Sequence, residues 1–118
     1  MVQNFLRPLL VLLMVSFPAY AGDRFFSAID DLPLMAGLEE VGGGVTFDTP
    51  QGRIAEATAQ GRVAQDAVGA FYDRTLPQLG WAAAGKNRFA REGESLELRF
   101  ENTGDALTVR FSLAPSGK

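Results

Sequence analysis

Two alternating runs near the C terminus constrain the fold more than any other feature of the chain. Leu96, Leu98 and Phe100 alternate with Glu97, Arg99 and Glu101, and Leu107, Val109, Phe111 and Leu113 alternate with Thr108, Arg110 and Ser112. A period of two puts each set on its own face of a strand. Asn102-Thr103-Gly104-Asp105 between them is turn chemistry, and Pro115 ends the second run. The pair therefore predicts an antiparallel sheet that is apolar on one face and charged on the other, so the apolar face needs a cover. A turn centred on Thr103-Gly104 predicts Phe100 opposite Leu107, Leu98 opposite Val109 and Leu96 opposite Phe111. On the charged face it sets Glu97 against Arg110 and Arg99 against Thr108. A second turn at Glu92-Gly93 predicts Arg88 beside Glu97 and Phe89 opposite Leu96.

The segment Gln65 to Trp81 supplies a cover. Val68, Phe71, Tyr72, Leu76 and Leu79 recur at steps of three and four, with Asp66, Asp73, Arg74 and Gln78 on the opposite face. Asp66 suits the positive end of the helix dipole, Gly80 suits a left-handed cap, and Pro77 predicts a loosened last turn. Upstream, Val45-Thr46-Phe47 and Arg53 to Gln60 read as a hairpin around Asp48 to Gly52. Ala55, Ala57 and Ala59 share one face of its second strand, a flat row over which Phe71 and Tyr72 are expected to lie. The sum is an α+β domain: an antiparallel sheet of about five strands in the order β-β-α-β-β-β, with one helix packed on one face.

The N-terminal third has a different character. Met1 to Arg7 is weakly basic, Pro8 to Phe17 is apolar, and Ala19-Tyr20-Ala21 offers the small residues of a cleavage site. This is the layout of a secretory signal peptide over residues 1–21, too short to span a bilayer, and predicts a periplasmic or secreted protein with no stable membrane anchor after cleavage. Residues 22–44 follow as an apolar arm ending in the flexible joint Gly42-Gly43-Gly44, and residues 45–118 form the α+β domain. Within the arm Phe25, Phe26, Ile29, Leu34, Met35 and Leu38 are too many apolar side chains for a solvated tail. They are expected to dock on their own domain or on a protein partner.

The stretch FYDRTLPQLGW, preceded by VTFDTPQGRIAEATAQG and followed by a hairpin, resembles a module of small exported bacterial proteins of proteobacterial type. In these a helix ending in a leucine-glycine-tryptophan corner precedes a β-meander. The resemblance spans about Val45 to Leu113 and implies the fold and export, without an activity, a cofactor or site residues.

The chemistry of the chain is defined mainly by two missing residue types. It holds no histidine and no cysteine, which removes nucleophile systems based on either and imidazole or thiolate metal sites. A carboxylate hydrolase would draw on Asp48, Glu56 and Asp73, although nothing in their spacing selects them. Asp30, Asp31, Glu39 and Glu40 do not follow a calcium-loop pattern. Arg88, Arg99 and Arg110 share the charged sheet face and are the candidates for anion contact, with Glu97 among them to pair instead. Without Arg7, ten of the eleven basic residues remain against fourteen acidic ones, a balance that disfavours nucleic acid as a partner. The sequence thus points to a non-enzymatic protein-interaction module needing no cofactor. The alternatives are a carrier of a small apolar ligand or lipid, using the space between the helix and the alanine row, and the carboxylate hydrolase.

Overall fold

The computed structural model describes residues 24–116, so the expected signal peptide lies outside the described residues. The described chain runs β1 (Glu39–Glu40), β2 (Val45–Thr49), β3 (Gly52–Gly61), α1 (Gln65–Thr75), a 3-10 turn (Leu76–Leu79), β4 (Ala82–Gly85), β5 (Arg88–Arg91), β6 (Glu94–Thr103) and β7 (Ala106–Pro115). All seven strands join one antiparallel sheet, in the spatial order β1-β3-β7-β6-β5-β4, with β2 also paired to β3. The α+β class and the single helix match the expectation, while the strand count exceeds it by two. β1 and β4 are the additions. Both are short edge segments: β1, of two residues, is below the length at which alternation can be recognised, and β4, Ala-Ala-Ala-Gly, has no alternation to show.

Turn geometry explains the registers. Arg91↔Glu94 closes the β5–β6 hairpin, and the two loop residues Glu92 and Gly93 both take positive φ, as a type I′ turn requires. Arg88 then pairs with Glu97 and Phe89 with Leu96, as expected. In the β6–β7 hairpin the loop is Gly104-Asp105 rather than Thr103-Gly104, because Gly104 supplies the positive φ at its first position. The register consequently moves on by two: Phe100 pairs with Val109, Leu98 with Phe111 and Leu96 with Leu113, while Arg99 faces Arg110 and Glu97 faces Ser112. A shift of two leaves every side chain on its predicted face, so the sidedness of the sheet holds while the named cross-strand pairs change.

Helix α1 buries Val68 and Tyr72, and Leu76 follows them into the core from the 3-10 turn. Pro77 sits in that turn, where the chain has already left α-helical geometry, and Gly80 closes it at φ 96° with Trp81 N–H bonded to Leu76 O at 3.1 Å. Phe71 is only partly buried and Leu79 is exposed, so the helix presents a narrower stripe than its sequence suggests.

The rest of the cover is the arm. Phe26 N–H bonds Leu32 O at 3.0 Å and Leu34 N–H bonds Arg24 O at 2.9 Å, folding residues 24–34 into a compact loop. This loop sends Phe26, Ile29, Leu32 and Leu34 into the same buried cluster as Leu38, the helix and the sheet. Phe26 packs on Phe111 with ring centroids 4.8 Å apart, and Tyr72 packs on the same ring at 5.2 Å. The Tyr72 hydroxyl donates to Pro33 O at 2.7 Å and accepts from Met35 N–H at 3.3 Å. Burial raises the Tyr72 pKa and keeps the phenol protonated. Helix and arm are therefore stitched together above Phe111, the cross-strand neighbour of Ala57 in the alanine row.

The three glycines between β1 and β2 adopt a defined geometry in place of a free joint. Glu40 pairs with Ala59, Val41 N–H bonds Thr58 O at 2.8 Å, and pairing resumes at Val45↔Glu56. Both segments thus line the same edge of β3, separated by a bulge. A side chain on Gly44 would lie 2.5 Å from Ala28 Cβ and 2.6 Å from Glu56 O, so only glycine passes there. No packed boundary falls at residue 44, because the arm and the sheet share one core.

Candidate interaction surface

The six arm residues expected to dock on their own domain or on a partner are placed very differently from one another. Phe26, Ile29, Leu34 and Leu38 are buried, Met35 is partly buried against them, and Phe25 is exposed. A contact surface built from the whole set is corrected by this placement, since four of the side chains are already spent on the domain's own core. Glu39 and Glu40 beside the arm are engaged as well. Glu40 accepts from Ser27 N–H at 2.9 Å and Ser27 Oγ at 2.8 Å, and Arg24 lies 3.9 Å from Glu39. Among the described residues no group of three metal-ligating side chains converges.

Asp31 belongs to a closed ring of alternating charge at one end of the core. Arg91 Nη2 bonds Asp31 Oδ2 and lies 3.9 Å from Glu94, Arg53 Nε bonds Glu94 Oε2 at 2.9 Å, and Arg53 Nη2 faces Asp31 Oδ1 at 3.6 Å. Arg53, Arg91 and Glu94 continue the inward-facing parity of β3, β5 and β6, and Asp31 meets them from the arm. Burial alone would raise the Asp31 pKa, but the Arg91 hydrogen bond and charge, a backbone bond and Arg53 together hold it below the usual value. The Arg53 pKa is raised, chiefly by its hydrogen bond to Glu94. Arg91 also covers the Trp81 ring, 4.3 Å from its centroid, and donates to Leu79 O at 3.1 Å. The Trp81 Nε1–H beneath it finds no hydrogen-bond partner among the described residues. Sequence alternation missed this ring because it joins four separate segments.

On the outer face, the three candidate anion-contacting arginines are exposed and each has an acidic neighbour. Arg88 lies 3.5 Å and Arg99 3.9 Å from Glu97, and Arg110 lies 3.8 Å from Glu101. The expected Glu97–Arg110 pairing is corrected by the register: Arg99 and Arg110 are themselves direct partners, two like charges relieved by flanking glutamates. The hydrolase carboxylates are not brought together. Asp48 pairs with Arg53 and shares its inward parity at the edge, Glu56 lies on the outer face, and Asp73 is on the exposed side of α1.

The outer face carries a second, largely apolar region, with Glu56 as the one charge among its residues. Val41, Val45, Phe47 and Ile54 are 44%, 47%, 59% and 38% exposed. Val45 and Phe47 pair with Glu56 and Ile54, and Val41 bonds to Thr58, so all four share the outer parity of β3. One step beyond Ala55↔Leu113, Ile54 lies beside Ala114, which pairs with Ser95, then Ala90, then Ala82. The row Phe47–Ile54–Ala114–Ser95–Ala90–Ala82 crosses the sheet without a charge, over roughly 24 Å at ordinary strand spacing. Its bulky end lies on β2, whose residues Val45 to Asp48 are all exposed. The sequence held a usable signal for this in Ile54, which sits out of phase with the alanines and beside Phe47 in the hairpin.

Comparison of the chain with protein-family models, with curated proteins and with solved structures gives no match.

Proposed function

We propose that this is an exported, non-enzymatic protein-interaction module, and that its contact surface is the outer face of the sheet around β2 and β3. The observation that carries this reading is the exposure of Val41, Val45, Phe47 and Ile54 close together at a sheet edge that no other described strand covers. Isolated exposed apolar residues need no explanation, whereas a contiguous group at a strand edge is the usual mark of an association site. Export is supported by the three-part layout of residues 1–21.

A double variant, Phe47→Glu with Ile54→Glu, tests the reading. Both side chains point away from the core, so the melting temperature should stay close to that of the parent. Immobilised parent protein is expected to retain a partner from an exported fraction that the variant fails to retain. Equal recovery by the two proteins, at matched stability, would remove this surface from consideration.

A further inference from the structure

The two ends of the sheet differ in how well they could template another strand. β4 is four residues long with a register irregularity between Ala83 and Gly85, which twists it away from regular pairing. β2 pairs with β3 over five residues without a break. In an antiparallel ladder each residue directs both its N–H and its C=O to one side. Val41 N–H reaches Thr58 O across the β1/β2 edge of β3, so Ile54, Glu56 and Thr58 direct their groups to that edge. Their partners Val45 and Phe47 bond inward, and Thr46 and Asp48 are left with N–H and C=O groups pointing away from the sheet.

We infer that β2 is a self-docking edge whose occupant is β2 of a second copy of this chain, paired antiparallel about a two-fold axis at Phe47. This inference rests on the reading of the same surface as an association site. Thr46 and Asp48 are equidistant in sequence from Phe47. A two-fold axis there sets Thr46 against the second copy's Asp48 and lets the two residues exchange both backbone bonds. All four outward groups on each copy are then used. The charge pattern fits the same register: the Asp48 carboxylate meets a threonine and never its own copy, and no other charged residue lies within β2. On the outer face the two Phe47 rings adjoin at a close, non-hydrogen-bonded pair, flanked by Val45 against Thr49. The apolar row on each protomer becomes one row running through Phe47 and Ile54 of both. A five-residue edge falls short of the about 1,200–2,000 Å² of a standard interface, so the dimer is a concentration-dependent one.

Sedimentation of the purified chain over a concentration series should show reversible dimerisation. Asp48→Pro removes only an outward N–H and is compatible with an edge strand, so it should keep the parent's melting behaviour. It deletes one hydrogen bond from each copy and should weaken dimerisation by about tenfold or more. The chain has no cysteine of its own. Phe47→Cys should therefore cross-link to a dimer under mild oxidant, because residues facing across such a pair lie about 4.5 Å apart at Cα, within disulfide range. Arg99→Cys, on the same face but three strands inward, should cross-link far more slowly. A monomer at every concentration, a dimer indifferent to Asp48→Pro, or equal cross-linking of the two cysteine variants would each overturn self-docking. If any of these occurs while the Phe47→Glu, Ile54→Glu variant still loses a heterologous partner, the interaction surface stands and only its occupant changes. If that partner recovery is also unaltered, both proposals fall.

Discussion

Arginines and carboxylates occur on both faces of this sheet, and the two groups have different consequences. On the covered face Asp31, Arg53, Arg91 and Glu94 close a ring in which Arg91 and Glu94 keep only 18% and 21% of their side-chain surface. On the outer face Arg88, Arg99 and Arg110 keep 51%, 71% and 56%, and their nearest carboxylates lie 3.5–3.9 Å away. Solvent and side-chain entropy reduce the outer pairs to little. In the inner ring each charge has lost part of its water, so removing one member strands another. The same residue types therefore fasten the arm on one side and remain hydrated on the other.

Substitutions can break this contrast in order of size. The largest effect should come from what holds the covered face closed: Tyr72→Ala should cost about 3–5 kcal/mol in denaturant unfolding, since it empties a buried site against Phe111 and leaves Met35 N–H unpaired. Phe71→Ala, at a partly buried position, should cost clearly less. Arg91→Ala should come next at about 1.5–3 kcal/mol, because it uncovers Trp81, frees Leu79 O and deprives Asp31 of its hydrogen bond.

Asp31→Asn sharpens the comparison through pH. The folded pKa of Asp31 is lowered, so its charge contributes stability that is present above its unfolded value near 3.9 and is lost as pH falls through the folded value. The melting temperatures of parent and Asp31→Asn should therefore differ near neutral pH and converge on acidification below about pH 4. The smallest effect belongs to the outer face. Arg99→Ala should change unfolding free energy by no more than about 0.5 kcal/mol, with the loss of its Glu97 contact offset by relief of Arg110. A cost comparable to that of Arg91→Ala would erase the distinction between the faces.

Sidedness was the most legible property of the chain. The alternation from Leu96 to Phe100 and from Leu107 to Leu113 marked the covered face, although Phe100 is only partly buried and Thr108, on the other face, is buried as well, and Gly80 marked the end of the helical segment. The β6–β7 pairing was less legible, because Thr103-Gly104 and Gly104-Asp105 are both acceptable loops and sequence pattern alone does not say which position Gly104 fills. The arm was legible as apolar and as docking either on its own domain or on a partner, but not as to which of the two. Its folding depends on Arg24, Ser27 and Asp31 finding Leu38 O, Glu40 and Arg91, contacts spaced 13 to 60 residues apart. The exposed apolar group was half legible: Val45 and Phe47 alternate, yet their exposure follows from the face that the alanine row occupies.

The glycine bulge has a further consequence for how the chain tolerates changes in length. From Val41 to Val45 the edge advances four residues while its partner strand advances two, from Thr58 to Glu56. The excess is even, so β2 resumes in the same phase as β1. The β2–β3 hairpin, closed at Thr49↔Gly52, fixes the phase of β2, so deleting or inserting one residue among Gly42, Gly43 and Gly44 would put Glu39 to Val41 out of phase with Thr58 to Gln60. Changing the length by two would preserve the phase, subject to the tight passage at Gly44. The loop thus acts as a parity check, and length variants here should be tolerated in pairs and rejected singly.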